Sequence, residues 1–412
     1  MKRGDRIRLT IDRPAAGGRM IARHDGAIVF VSNAIPGETV EADVEKVQRG
    51  LAWAVAREVV ERSPDRLDSQ VDGACGGSVF AHIAYERQRS LKSAIIDDAL
   101  RRLGRITLDA PVEVVASPID GYRMRARLHA RDGRLGFFRE GTHSLCDAAS
   151  TRQLRHDTSD VLGRLEAAWR GVPPGVIQAL EIAENIAATD RAIHVHLHPD
   201  ANADPLAPLV AVEGITGASC SLGEDADTVE LFGTPMILDT VAGARLERHV
   251  RSFFQGNRFL LEPFVEWVLM HVAAGPLVDL YAGVGLFSLA AAAKGIADIT
   301  AVEGDQFAAR DLKRNAGGAI RVLPIAVEQF ASRGERPRTT IVDPPRTGLS
   351  KEALARVLAL GSPTLIYVSC DIATLARDAR GLIDAGYRIT SARAFDLFPN
   401  TAHVETVMAF ER

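Results

Sequence analysis

Cysteine is scarce. Four thiols, Cys75, Cys146, Cys220 and Cys370, stand far apart in 412 residues. That excludes a disulfide-rich scaffold and suits a reducing cytoplasm, where the protein is expected. Long apolar runs are lacking as well. The N-terminus, Met1-Lys2-Arg3-Gly4-Asp5-Arg6, has no signal-peptide core. The most apolar stretch, residues 268–293, is broken by Gly275-Pro276 and Asp279, which a membrane span would not normally carry. No internal repeat or low-complexity segment is found. The net charge of −4 does not mark a strongly basic nucleic-acid binder. What remains, 47% hydrophobic and 25% charged residues, is ordinary for a soluble globular chain and excludes wholesale disorder. The length suits two or three domains.

Three regions differ in texture. Residues 1–61 are short alternating segments (Arg6–Ile11, Gly26–Val31, Thr39–Val44) separated by turns such as Ile35-Pro36-Gly37-Glu38. They predict a small β-barrel. Residues 62–245 are mixed. Helices are expected over Ala84–Leu103 and Thr151–Arg170, a hairpin over Tyr122–Phe138 turning at Asp132-Gly133, and strands at Ala192–Leu197 and Leu209–Ile215. Residues 246–412 alternate strand and helix patterns. The strands read Leu277–Tyr281, Ile299–Val302, Arg321–Ile325, Thr339–Val342 and Thr364–Ser369. The helices read Phe287–Lys294, Gln306–Asn315, Lys351–Leu360 and Ile372–Ala385. That alternation predicts an α/β fold with a parallel sheet covered on both faces. Arg388–Phe395 and Val404–Phe410 follow with no helix between them, which implies an antiparallel hairpin on the sheet edge.

Charge is uneven. Gly121–Glu140 carries six arginines (Arg123, Arg125, Arg127, Arg131, Arg134, Arg139) against Asp132 and Glu140. The stripe reads as a local anion-binding surface or as a solvated strand face.

The chemistry gathers in the last region. The first strand runs into Ala282-Gly283-Val284-Gly285-Leu286, a turn that lets a ligand approach backbone at a strand's carboxyl end. It has neither the third glycine of a dinucleotide fingerprint nor the Lys-Ser or Lys-Thr pair of a phosphate loop. Asp279 lies inside the apolar first strand. Glu303 follows the second strand, 24 residues later, where an acid can accept both ribose hydroxyls. S-adenosylmethionine therefore fits better than a dinucleotide. After the fourth strand, Asp343-Pro344-Pro345-Arg346 makes a rigid loop able to read the edge of a planar ring. After the fifth, Cys370 sits between strand end and helix N-terminus. Positive potential there favours a thiolate nucleophile, the alternative being a buried structural thiol. Glu405 enters an apolar strand, a setting that tends to raise a carboxyl pKa and suits a base. Phe253-Phe254-Gln255-Gly256-Asn257 offers rings to stack a base, or to fill a core, and amides to hold a ligand edge.

Assembled, these motifs resemble the uracil-C5 RNA methyltransferase family, which forms 5-methyluridine in transfer or ribosomal RNA. The resemblance rests on Phe-Phe-Gln-x-Asn, Asp-Leu-Tyr-x-Gly-x-Gly, Asp-Pro-Pro-Arg-x-Gly, Ser-Cys and His-Val-Glu, in that order, and covers essentially the whole chain. It implies a TRAM domain (an OB-like RNA-binding barrel) over 1–61, a central α+β RNA-binding domain over 62–245, and a Rossmann-like S-adenosylmethionine-dependent catalytic domain over 246–412. By the same resemblance Cys370 is the nucleophile and Glu405 the general base. Gln255, Tyr281, Gly283, Gly285, Glu303 and Asp343 line the cofactor. Phe253, Phe254, Asp343, Arg346, Arg123, Arg125 and Arg127 face the RNA.

Two departures stand out. Leu286 occupies a place where the family often has an amide side chain. Many ribosomal members hold a [4Fe–4S] cluster on four cysteines, and the matching positions here are Ser69, Cys75, Ser78 and Cys146. With two thiolates missing no cluster is expected, and no other metal. The Cys75-Gly76-Gly77 and Cys146 remnants favour ribosomal RNA as the partner of a monomer. The alternatives are an amino-group nucleic-acid methyltransferase and a non-catalytic RNA-binding protein on the same fold. Against the first, Arg346 stands where those enzymes carry Tyr or Phe.

Overall fold

The computed structural model describes residues 1–202, 206, 210–223, 227–331 and 336–412. The chain divides into two compact units: residues 1–116 with 370–380 and 393–406, and residues 117–369 with 381–392 and 407–412.

In the first unit, β1 (Arg6–Pro14), β2 (Met20–His24), β3 (Ala27–Ser32), β4 (Thr39–Gln48) and β5 (Leu51–Glu61) close a barrel in the order β1-β2-β3-β5-β4. Alternation fixes which side faces in. Along β1, Ile7, Leu9 and Ile11 are buried while Arg6, Arg8 and Thr10 are exposed. Below the barrel, Glu38 is fully buried and accepts hydrogen bonds from Ile35 N, Ser63 N and the Arg66 guanidinium. Burial pushes its carboxyl up, but Arg66 and the Ser63 and Ile35 N–H groups together outweigh that and hold it below the usual range. Helix α1 (Tyr85–Ala99) continues as a π turn over Leu100–Gly104 and stops at Arg105, where φ is +53°. Its buried face includes Leu91, Ile95 and Ile96, together with Gln88 and Lys92. The short strand β6 (Val114–Val115) closes the N-terminal part.

The second unit opens with β7 (Arg125–Arg131), β8 (Arg134–Phe138), β9 (Leu145–Asp147) and helix α2 (His156–Ala168). It continues with β10 (Ile177–Glu184), β11 (Arg191–Leu197), β12 (Gly217–Leu222) and β13 (Val229–Gly233). These strands form one sheet in the order β13-β12-β11-β10-β7-β8-β9. Its apolar face (Leu128, Leu180, Ile182, Ile193, Val195) packs with Val161, Leu162 and Leu165 of α2.

Two expectations fail in this unit. The helix expected from Thr151 begins at His156, because Thr151 ends a 3₁₀ turn and Arg152 takes φ +59°. Of the stretch Leu209–Ile215 read as a strand, residues 210–215 form none. Leu209 lies outside the described residues, and Glu213-Gly214 is a turn, with Gly214 at φ +93°. Val210 and Ile215 are buried in the same core, so their pattern reports burial rather than pleating. The strand itself starts at Gly217.

After the ribbon β14 (Met236–Val241) and β15 (Ala244–His249) comes helix α3 (Leu261–Met270) and then regular alternation. It reads β16 (Leu277–Leu280), α4 (Leu286–Ala293), β17 (Ile299–Val302), α5 (Gln306–Ala316), β18 (Arg321–Leu323), β19 (Thr339–Val342), α6 (Lys351–Leu360), β20 (Thr364–Ser369), α7 (Ile372–Asp384), β21 (Arg388–Phe395) and β22 (Glu405–Glu411). The sheet order is β18-β17-β16-β19-β20-β22-β21-β6, with parallel pairing from β18 through β20. The closing hairpin differs from expectation at one point. Its outer strand is not the sheet edge, because Ala394 and Phe395 pair in parallel with Val114 and Val115 of β6. Among the described residues no helix is long and apolar enough to cross a membrane.

Candidate active site

In the second unit the site is built on the carboxyl ends of β16, β17 and β19. Strand β16 stops at Leu280, and Tyr281 turns the chain with φ +63°. Gly283 (φ +56°) and Gly285 (φ +98°) follow. A Cβ at Gly285 would meet Leu289 and Leu312 at 2.8 Å each, so only glycine lets α4 start there, whereas Gly283 faces open space.

Three acids converge on this turn. Asp279 is fully buried, and its Oδ2 accepts the Ser288 backbone N–H at 3.0 Å in the first turn of α4. Its Oδ1 is buried without a hydrogen-bond partner. Burial pushes its carboxyl up to about 7; Ser288 opposes the shift and Glu303 reinforces it. Glu303 accepts Gly283 N–H at 2.7 Å on Oε2 and Asp305 N–H at 2.6 Å on Oε1. Burial raises it too. Asp343, directly after β19, keeps some exposed surface. Burial first, then Asp279 and Glu303, raise its carboxyl. Beyond it, Pro345 O accepts Gly348 N–H, and Arg346 on that turn is exposed.

The segment Phe253–Asn257 is tied to residues 117–124, which lead into β7. Met124 N–H donates to Gly256 O, Arg258 N–H to Tyr122 O, and Asn257 Nδ2 to Ser117 Oγ. The tie depends on residues that sequence reading missed. Arg258 donates to buried Glu184 at 2.6 Å, and Glu184 also takes Arg191 at 2.6 Å. Of the two aromatic rings only Phe253 is available, being 62% exposed. Phe254 is 4% exposed, under the Arg248 guanidinium at 4.0 Å from the ring centroid, and Gln255 is buried. Arg123, Arg125 and Arg127 alternate with buried Met124, Ala126 and Leu128. Arg125 is committed to Glu181 at 2.6 Å, while Arg127 is exposed.

In the first unit, Cys370 follows the last residue of β20 and keeps part of its surface exposed. The next residue, Asp371, accepts Thr374 N–H on its carboxylate at 2.9 Å and so caps α7. Glu405 opens β22 and is 2% exposed. Cys370 and Glu405 belong to the same unit.

The donor sets can be tested against the two groups. An iron–sulfur cluster does not fit. Ser78 is buried with its hydroxyl donating to Asp72 O and Cys75 O at 2.8 Å each, and Ser69 Oγ accepts Val71 N–H. Both serines serve the local backbone. S-adenosylmethionine does fit. An orphaned carboxylate oxygen, an open glycine face and a ring of acids suit a ligand that carries hydroxyl donors and a positive sulfur.

The fold and this turn define a Rossmann-like methyltransferase joined to a small β-barrel. The model of the tRNA (uracil-5-)-methyltransferase family matches residues 241–412, and that of the TRAM domain residues 1–56. A 23S rRNA (uracil(1939)-C(5))-methyltransferase RlmD from Halomonas elongata is 31% identical over 98% of this chain and 89% of its own. An enzyme of the same name from Alcanivorax borkumensis is 30% identical over 98% and 96%. The crystal structure of the Pyrococcus abyssi tRNA (uracil-54, C5)-methyltransferase in complex with S-adenosyl-L-homocysteine shares the fold. It has a TM-score of 0.79 at 23% identity over 98% of this chain and all of that one. The chain belongs to the S-adenosylmethionine-dependent RNA uracil-C5 methyltransferase family.

Proposed function

We propose that this protein methylates C5 of one uridine in ribosomal RNA, with Cys370 as nucleophile and Glu405 as base. The supporting observation is that a partly exposed thiol at the end of β20 and a buried carboxylate opening β22 belong to one compact unit. The Cys370 sulfur adds to C6 of the uracil, and the electron pair of the C5–C6 double bond moves onto C5 and O4. When bound, S-adenosylmethionine would supply the electrophilic methyl that C5 takes, its sulfur keeping the electron pair of the broken C–S bond and leaving as a neutral thioether. Glu405 then removes the C5 proton, the double bond re-forms, and the C6–S bond breaks to return the thiolate. Dividing the reaction this way makes C5 nucleophilic without an external activator.

Glu303 would hold the ribose hydroxyls. Gln255, Tyr281, Gly283, Gly285 and Asp343 would line the cofactor, and Asp343 would also take the uracil N3–H. The uridine must leave its stack, at a cost of a few kcal/mol. Exposed Phe253 would stack the flipped base. The barrel over 1–61, Arg346, Arg123 and Arg127 would grip phosphates, whereas Arg125, expected there from the sequence, is taken up by Glu181. Ribosomal RNA is favoured over transfer RNA by the names of relatives that are 30% or more identical over nearly the whole chain. Mapping 5-methyluridine in total RNA from a deletion strain tests the reading. Loss of one ribosomal 5-methyluridine supports it. An unchanged profile, or loss of an amino-methylated base instead, refutes it.

A further inference from the structure

Nine residues before Glu405, the chain leaves β21 into a loop (396–404) that is held from below by α1. Lys92 and Gln88 lie one turn apart on the buried face of that helix, 0% and 2% exposed. The Lys92 ammonium donates to Asp396 Oδ1 at 2.5 Å and to Phe398 O at 3.0 Å, and both charged side chains of this pair are wholly buried. Thr401 Oγ1 donates to the same Phe398 carbonyl at 2.7 Å and accepts His403 N–H at 3.1 Å. A chain of hydrogen bonds thus runs from Lys92 to within two residues of Glu405. Gln88 adds a second clamp. Its Nε2 donates to Asn400 Oδ1 at 2.9 Å and its Oε1 accepts Asn400 N–H at 2.9 Å, holding Asn400 at φ +62°. Phe80 N–H donates to Asn400 O at 2.8 Å, and Ala402 packs against the barrel core.

A buried ion pair is a poor device for stability, since apolar residues of the same volume commonly do as well or better. Its use here is positional. We propose that Lys92 and Gln88 are positioning residues for Glu405: through the 396–404 loop they fix the carboxylate that removes the C5 proton, so their loss slows release of the methylated RNA rather than methyl transfer. This rests on the assignment of Glu405 as the base.

The test is single-turnover reaction of full-length enzyme with RNA substrate and methyl-labelled S-adenosylmethionine. Denaturant-stable protein–RNA adduct and free 5-methyluridine are followed separately. The Lys92→Met/Asp396→Leu pair variant removes both charges, leaving none unpaired. It should form adduct at close to the wild-type rate, keep the wild-type melting temperature and cofactor affinity, and resolve the adduct roughly 10- to 100-fold more slowly. Wild-type resolution overturns the proposal. So does equal slowing of both steps with a lowered melting temperature, the signature of a purely structural role. If the pair variant does not fold, Gln88→Leu, which leaves the charges in place, carries the test with the same two readouts. Glu405→Gln is run alongside. If it accumulates adduct while the α1 variants do not, the positioning role alone is wrong. If Glu405→Gln releases product at the wild-type rate, the base assignment fails and the inference falls with it.

Discussion

The Glu303 carboxylate accepts the Gly283 N–H at 2.7 Å, joining the end of β17 to the glycine turn after β16. One acid therefore both shapes the turn and stands beside the open face of Gly283. Glu303→Gln keeps the size of the side chain, removes its charge and leaves one oxygen to accept only one of the Gly283 and Asp305 N–H groups. It should raise the dissociation constant for S-adenosylmethionine by roughly 10- to 100-fold, the worth of a charged hydrogen bond at about 1.5–3 kcal/mol. Calorimetric titration checks this, and an unchanged affinity would remove Glu303 from the cofactor site.

Asp279 gives the protein a pH signature. Its carboxyl ordinarily titrates at 3.8, and burial holds it at about 7 in the fold. The folded state keeps a proton that the unfolded chain releases, so this group's effect on stability worsens as pH rises from about 4 to about 7 and is constant above. Asp279→Asn has no such proton to lose. Its melting temperature should gain on the wild type across that window, by the equivalent of a few kcal/mol, and then hold level. A constant gap from pH 4 to 8 would contradict this.

Arg125 and Arg127 should behave differently although both lie on β7. Arg125 is engaged with Glu181, which also takes His196 at 3.0 Å. Arg125→Ala should cost stability first. Arg127, exposed, should act on RNA. Arg127→Ala should lower the salt dependence of RNA binding by about one counterion. Filter binding across salt concentrations measures the slope.

Iron and sulfide assay of anaerobically purified protein should find no stoichiometric cluster. Serine is a poor iron ligand beside thiolate, and the Ser78 hydroxyl is already spent on two backbone carbonyls.

The catalytic sheet was legible because its strands and helices repeat the local periods that burial imposes. β17, β19 and β20 fall where the pattern put them. The glycine turn and the acids at 279, 303 and 343 were legible for the same reason, since polar residues at apolar strand ends are conspicuous. Local pattern fails where burial and backbone conformation part company. Ile215 is buried from a non-strand segment, and Arg152 takes a left-handed turn that no composition rule marks. Phe254 is indistinguishable in sequence from Phe253, yet Arg248 covers it. Lys92 is 304 residues from Asp396, a separation at which no periodicity carries information.

The central claim is a covalent bond between the Cys370 sulfur and C6 of uracil. RNA carrying 5-fluorouridine at the target position has no C5 proton for Glu405 to remove, so methylation cannot be followed by elimination. Incubated with that RNA and S-adenosylmethionine, wild-type protein should form a denaturant-stable adduct whose mass is the sum of enzyme, RNA and one methyl group. Peptide mapping should locate the link at Cys370, and Cys370→Ala should form none. Full methylation of ordinary RNA by Cys370→Ala, or an adduct mapped to another residue, would contradict the account.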